Sequence, residues 1–156
     1  MGKKQKLEAS KLTEHIGYWM RVVSNNVSHS FARKLEASGV TVAEWVILRE
    51  MYGGDDTTSP SAVAELTGLT RGAVSKLITR LLEKGLVSRK ESSDDRRYQD
   101  IELTAKGIQL VPKLGALADQ NDREFFSCLN KAERSQLKAV LQKLADHFQI
   151  KTVPTQ

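Results

Sequence analysis

The chain has 156 residues, of which 40% are hydrophobic and 28% charged, and its formal net charge is +5. This length fits one domain or one compact subunit, and the composition is typical of a soluble globular protein. No apolar run approaches the roughly 18–20 residues of a membrane span, and no cleavable leader follows the basic N-terminus, so we expect a cytoplasmic protein. The single cysteine, Cys128, excludes an internal disulfide, and the three histidines lack metal-ligand spacing. We therefore expect neither a metal nor a cofactor.

The first third of the chain predicts two helices. Apolar residues recur every three or four positions over residues 12–36, and Gly39 is expected to end this helix. Thr41 and Glu44 have the spacing of a capping box, in which Thr41 accepts the amide of Glu44 and the Glu44 carboxylate accepts the amide of Thr41. Residues 53–58 show no periodicity and are interpreted as a loop. Ser59 and Pro60 then favour the start of a third helix.

The segment from Ala64 to Val74 has the spacing of a helix–turn–helix. A small residue, Ala64, allows two helices to approach closely, and Gly68 can take the positive φ that ends the first of them. Thr70 is expected to cap the second, over residues 71–84, and Val74 to attach it to the core. The polar side of this helix is predicted to face a DNA groove; it carries Arg71, Ser75, Lys76, Thr79 and Arg80.

A basic hairpin is predicted to follow the helix–turn–helix. Residues 86–90 and 98–103 are short candidate strands, and Asp95, Arg96 and Arg97 lie near the tip between them. Residues 69–97 contain eight basic and four acidic side chains, so this segment holds most of the net positive charge. Local clustering of this kind is the expected footprint of phosphate contacts. A recognition helix beside a charged hairpin indicates a winged helix–turn–helix.

Two further helices are predicted after the hairpin, over residues 105–129 and from Asn130 to about residue 148. We expect a mainly α fold with a small β-hairpin wing, in which residues 41–104 form the DNA-binding lobe and residues 1–38 and 105–150 the dimerisation helices. Residues 151–156 are predicted to be a flexible tail. The apolar faces left over favour a homodimer, and the predicted interface residues are Ile16, Leu137, Val140, Leu141, Leu144 and Phe148.

This layout resembles the MarR family of bacterial transcriptional regulators. The residues that carry the resemblance are Asp95-x-Arg97, five residues, then Leu103-Thr104-x-x-Gly107, together with the run from Val74 through Val87. The resemblance implies that Arg97 enters a minor groove and that Asp95 holds it by a charge-assisted pair. It also places Ser75 and Lys76 in a major groove. Arg71 is a candidate for a base or phosphate contact, Thr79 and Arg80 for backbone contacts, and Arg96 for either a contact or a solvated neighbour.

Many members of the family release DNA when a small aromatic or phenolic molecule binds. The resemblance therefore implies a repressor with an effector pocket, for which the candidate wall is His15, Tyr18, Trp19 and Arg49. The alternative is that Tyr18 and Trp19 belong to the dimer core. A ligand-independent regulator, an activator, and an RNA- or protein-binding module are the other functions considered. No catalytic motif is found, so an enzyme is not expected. Cys128 is interpreted as a small buried residue.

Overall fold

The computed structural model describes residues 2–90 and 100–156. In these ranges the chain forms a short 3-10 turn, Leu12–Glu14, six α-helices and three short strands. The helices are α1 (Ile16–Glu36), α2 (Val42–Gly53), α3 (Pro60–Thr67), α4 (Arg71–Glu83), α5 (Ala105–Phe125) and α6 (Lys131–His147). The strands are β1 (Thr57–Thr58), β2 (Val87–Arg89) and β3 (Ile101–Leu103). The predicted fold class, mainly helical with a small sheet, is confirmed.

The predicted helix boundaries follow from caps that the structure contains. The side chains of Thr41, Ser59, Thr70, Thr104 and Asn130 each accept the backbone amide three residues later. Gly39 and Gly68 take φ values of +70° and +71°, which end α1 and α3 without the steric cost that a side chain would bring. Short polar capping residues thus set most of the helix boundaries.

The sheet is antiparallel with strand order β1-β3-β2. In it, Thr57 and Thr58 pair with Glu102 and Ile101, so part of the predicted loop 53–58 is in fact an edge strand. Two residues are too few to produce an alternating pattern, so this strand could not be predicted from periodicity. The strands β2 and β3 form the base of the predicted hairpin, and its tip, residues 91–99, lies outside the described residues.

One hydrophobic core joins α1, α2, the helix–turn–helix, the sheet and the first half of α5. Its most completely buried side chains are Leu35, Ile47, Leu48, Met51, Val63, Leu77, Leu81, Ile101, Val111 and Leu114. The base of the sheet, the last turn of α1 and the buried face of α4 all pack in this one apolar cluster. The position of α4 is therefore held by contacts with both the sheet and α1.

A tight junction connects the end of α4 to the start of α5. Thr104 donates its hydroxyl to the carbonyl of Gly85 at 2.6 Å, and its amide to the carbonyl of Leu86 at 3.1 Å. A Cβ built on Gly107 meets that same Leu86 carbonyl oxygen at 2.3 Å. Only glycine fits at this point, which gives a structural reason for the Leu-Thr-x-x-Gly pattern noted in the sequence.

Polar contacts fix α5 against α1 further along. Asn121 is 4% exposed, and its Oδ1 accepts from Ser30 Oγ at 2.8 Å and from Lys34 Nζ at 3.0 Å. Its Nδ2 donates to the carbonyl of Val27 at 3.2 Å. Gln120 and Lys34 both donate to Glu124, and these bonds lower the pKa of Glu124 below its usual value. Such directional contacts define the register of the two helices.

Helix α6 buries none of its residues within the chain. Its apolar residues Leu137, Val140, Leu141, Leu144 and Phe148 are 39–67% exposed, and Ile16 at the start of α1 is 79% exposed. The predicted interface residues therefore form uncovered apolar surface on the single chain. Cys128 is exposed, so the prediction of a buried cysteine was wrong: α5 ends at Phe125, and Cys128 lies in the turn beyond it.

The tail predicted to be flexible has no regular secondary structure, but it contacts α3. The amide of Val153 donates to the carbonyl of Leu66, near the end of α3, at 2.9 Å. Thr152 and Pro154 lie close to Gly68 and to the α1–α2 surface, respectively. The chain after α6 thus returns to the helix–turn–helix.

Candidate functional site

Helix α4 has one buried and one exposed face. Thr70 Oγ1 accepts from the amide of Ala73 at 3.2 Å, so the helix begins at Arg71. Val74, Leu77, Ile78 and Leu81 are at most 5% exposed and attach the helix to the core. The five side chains predicted for the DNA-facing side, Arg71, Ser75, Lys76, Thr79 and Arg80, are all exposed. Helical periodicity alone accounts for this division.

A groove of about 610 Å³ lies between α3 and α4. Arg71, Ser75 and Thr79 line it from α4, and Ser61 lines it from α3. The Thr79 hydroxyl donates to the carbonyl of Ser75 at 2.9 Å, one turn earlier. The groove therefore presents a cation at one end and small polar side chains along its floor. Lys76 and Arg80 are exposed but do not line it.

Arg89 is a groove residue that the sequence analysis did not single out. It is exposed on β2 and lines the same groove as Arg71. Eighteen positions separate the two residues in the chain, and they lie on different elements, so the period of one helix or strand cannot relate them. The basic composition of residues 69–97 was the only signal that included Arg89.

The predicted wing residues Asp95, Arg96 and Arg97 lie outside the described residues. The base of the hairpin is described, and its register is set by the pairing of Val87 with Leu103 and of Arg89 with Ile101. The wing contacts assigned to Asp95, Arg96 and Arg97 stay predictions.

Glu44 departs from the predicted capping box. Thr41 Oγ1 accepts the Glu44 amide at 3.2 Å, but the Glu44 carboxylate does not return to the Thr41 amide. It is 0% exposed and contacts α4 instead, with Lys84 Nζ 2.6 Å from Oε2 and Arg80 Nε 3.8 Å from Oε1. Arg80 in α4 and Lys84 directly after it provide an attraction that a surface cap does not offer.

The residues predicted for an effector pocket are not brought together within one chain. His15 is the N-cap residue of α1 and lies against the carbonyl of Lys11, while Trp19 Nε1 donates to the carbonyl of Thr13 at 2.9 Å. Tyr18 and Trp19 make an edge-to-face pair 5.2 Å apart. Arg49 lies elsewhere, on α2, so the four residues do not form a single wall among the described residues.

Arg49 lines a cleft of about 420 Å³ between α2 and α5. Its other walls include Trp45 and Tyr52 from α2 and Pro112 and Asp119 from α5. The Arg49 guanidinium lies 6.0 Å from the centre of the Tyr52 ring, within the range of a cation–π contact. The cleft combines one cation with aromatic surface.

No group of three or more His, Cys, Asp and Glu side chains in residues 2–90 and 100–156 is arranged to hold a metal ion. Over the same ranges, none of the helices has the length and apolar character needed to cross a bilayer.

Comparison with known proteins gives consistent matches. A model of the MarR family matches residues 38–97. A protein of Thauera aromatica assigned as the transcriptional regulatory protein for the hcr operon is 28% identical over 130 residues, which cover 83% of this chain and 78% of that one. The structure of MepR from S. aureus in complex with DNA has a TM-score of 0.73 and 28% identity, covering 85% of this chain and 98% of that one. BpsR of Bordetella bronchiseptica, with 26% identity, has a TM-score of 0.75 over 89% of this chain and 99% of that one.

The exposed face of α4, the helix α3 that packs beside it and the base of a hairpin define a winged helix–turn–helix protein. The matches agree in sequence and in fold. These matches confirm the resemblance to the MarR family of transcriptional regulators that residues 74–107 carry.

Proposed function

We propose that the protein is a homodimeric repressor that binds a pseudo-palindromic double-stranded operator and releases it when a small aromatic acid binds. The observation that carries the proposal is the exposed row Arg71, Ser75 and Thr79 on a helix whose opposite face is anchored in the core. Arg89 adds a second cation to the same groove. MepR, the relative crystallised with DNA, supports a duplex as the ligand. A protein with this task works where the chromosome is, in the cytoplasm.

In this proposal α4 enters the major groove. Arg71 and Ser75 face base edges, since arginine presents two donors that match guanine. Lys76 lies beside Ser75 at the major groove, and Thr79 and Arg80 contact the phosphate backbone, which positions the helix. The wing extends from β2 and β3, and Arg97 enters the minor groove with Asp95 as its partner, while Arg96 contacts phosphate.

A second subunit completes the molecule. The apolar residues of α6 and of the start of α1 would be covered by the same helices of the partner, which removes a large exposed hydrophobic surface. We assign Tyr18 and Trp19 to this interface. Two recognition helices then face half-sites about one DNA turn, roughly 34–36 Å, apart.

The experiment that tests the proposal compares DNA from directly upstream of the coding region with random duplex across a salt series. A specific regulator is expected to prefer the upstream fragment by a factor of about 10³ or more. Arg89→Ala is expected to reduce the slope of log K against log salt by about 0.9, the effect of one lost phosphate contact. Lys143→Ala, an exposed cation on the side of α6 away from its apolar row, serves as the control and should leave the slope unchanged. Absence of duplex binding at low salt contradicts the proposal.

Arg97→Ala is expected to weaken duplex binding by about ten- to hundredfold, because a charged side chain in a narrow minor groove is lost. The dimer and its melting temperature should not change. Fluorescence anisotropy with a labelled duplex measures the first effect, and sedimentation and thermal melting measure the others. A large fall in melting temperature would give Arg97 a structural role instead.

For the effector we propose the cleft between α2 and α5, with Arg49 pairing the carboxylate of an aromatic acid and Trp45 contacting its ring. BpsR, whose DNA binding is regulated by 6-hydroxynicotinic acid, supports this ligand class. With 6-hydroxynicotinic acid and benzoate as probes, we expect release of the duplex from the native protein and none from Arg49→Ala. Unchanged duplex binding at saturating probe would favour a ligand-independent regulator.

A further inference from the structure

We propose that Glu44 is a positioning residue for DNA binding: it holds Arg80 so that the terminal nitrogens of that guanidinium meet a backbone phosphate. The inference rests on the proposed function, since it concerns how α4 approaches a duplex. It assigns to α2 a part in DNA recognition although Glu44 itself is 0% exposed and does not reach a ligand.

Because Glu44 is buried, its carboxylate must be stabilised by nearby donors or cations. A carboxylate removed from water needs partners for both oxygens, because an unpaired buried charge is costly. Oε2 receives Lys84 Nζ at 2.6 Å. The same Lys84 nitrogen donates to the carbonyl of Gly39 at 2.7 Å, so Lys84 links the end of α4 to the turn before α2 and is committed there.

The second carboxylate oxygen, Oε1, has no hydrogen-bond partner among the described residues. Arg80 Nε lies 3.8 Å from it. This distance is an ion-pair contact without a formed hydrogen bond. Attraction between the two groups therefore draws the Nε edge of Arg80 toward α2.

The guanidinium has five N–H donors in a planar fork, and one of them belongs to Nε. When Nε is held by Glu44, the two terminal nitrogens remain for an acceptor in solvent. The Arg80 side chain is 52% exposed, so that acceptor can be a phosphate. Arg80 does not line the α3–α4 groove, which fits a backbone contact at the flank of α4 and not a base contact.

A lysine cannot replace this arrangement. Its single ammonium is a point charge, whereas arginine can contact a carboxylate through one edge and a phosphate through another. Arg80 could therefore act in two ways. It could supply only a positive charge near DNA, which lysine would also supply, or it could present an oriented guanidinium, which requires both arginine and Glu44.

The test is a double-mutant cycle on duplex affinity, with the full-length dimer and the upstream fragment. Arg80→Ala in the native background is expected to weaken binding about tenfold and to reduce the salt slope by about 0.9. In the Glu44→Gln background the same change should cost less than about threefold, because Arg80 is no longer oriented. Arg71→Ala, at the other end of α4, is the control and should cost the same factor in both backgrounds.

Arg80→Lys keeps the test independent of whether Glu44→Gln folds. We expect it to lose about as much affinity as Arg80→Ala, with an unchanged melting temperature. The positioning role is overturned if Arg80→Ala reduces duplex affinity by the same factor in both backgrounds. It is also overturned if Arg80→Lys keeps the full duplex affinity. If the native protein binds neither the upstream nor a random duplex, the proposed function itself fails, and the cycle has no binding to measure.

Discussion

Replacing Gly107 with alanine is expected to lower the melting temperature by about 6–12 °C, which corresponds to about 3 kcal/mol of lost stability. The physical reason is that the added Cβ falls 2.3 Å from the carbonyl oxygen of Leu86 and 3.3 Å from Leu103 Cδ2. A backbone oxygen cannot rotate away as a side chain can, so α5 or the turn after α4 must shift. Differential scanning calorimetry at fixed protein concentration measures the change.

Gly115→Ala provides the matched control in the same helix. Its Cβ meets only Trp45 Cη2, at 3.8 Å, which is an ordinary contact. Since alanine is the better helix former by about 1 kcal/mol, this variant should melt at or above the native temperature. If Gly107→Ala and Gly115→Ala behave alike, the close approach at Leu86 does not limit stability.

Leu144→Glu is expected to convert the dimer to monomer, with the dimer dissociation constant raised by about 10³ or more. Leu144 is 42% exposed on a helix that has no fully buried residue in its own chain, and we expect the partner to cover it in the dimer. The charge would then have to enter an apolar interface without a partner ion. Sedimentation equilibrium over a range of concentrations gives the constant.

The control for this variant is Ala139→Glu. Residue 139 lies about 200° around α6 from Leu137, on the side away from the apolar row, so the same charge stays in solvent. It should leave the dimer constant within a factor of about three. A dimer that tolerates Leu144→Glu would place the interface on another surface.

Local rules predicted most of the fold because the deciding interactions are local. The caps at Thr41, Thr70 and Asn130 and the positive φ of Gly68 depend on residues within three or four positions of one another. The 3.6-residue period then divides α4 into its buried and exposed faces without reference to the rest of the chain.

The features that could not be predicted from the sequence depend on contacts between distant segments of the chain. Glu44 looked like a cap but pairs with Lys84, forty positions away. Arg89 joins the groove of Arg71 only when the strand folds back along α4. Arg49 and the His15–Trp19 segment share no wall, because α2 directs Arg49 toward α5. Spacing along the chain carries no information on such pairs.

The junction at Gly107 has a consequence for how a signal would reach DNA. Three hydrogen bonds from Thr104 and Lys106 attach the start of α5 to the residues that follow α4, and Gly107 leaves no room there for a side chain. Because of these contacts, α5 and the recognition helix α4 are expected to rotate together. The 21 residues of α5 span about 30 Å. A tilt of about 5° over that length displaces the far end by about 2.6 Å. Small changes of angle where two subunits cross are thus amplified into the spacing between their recognition helices.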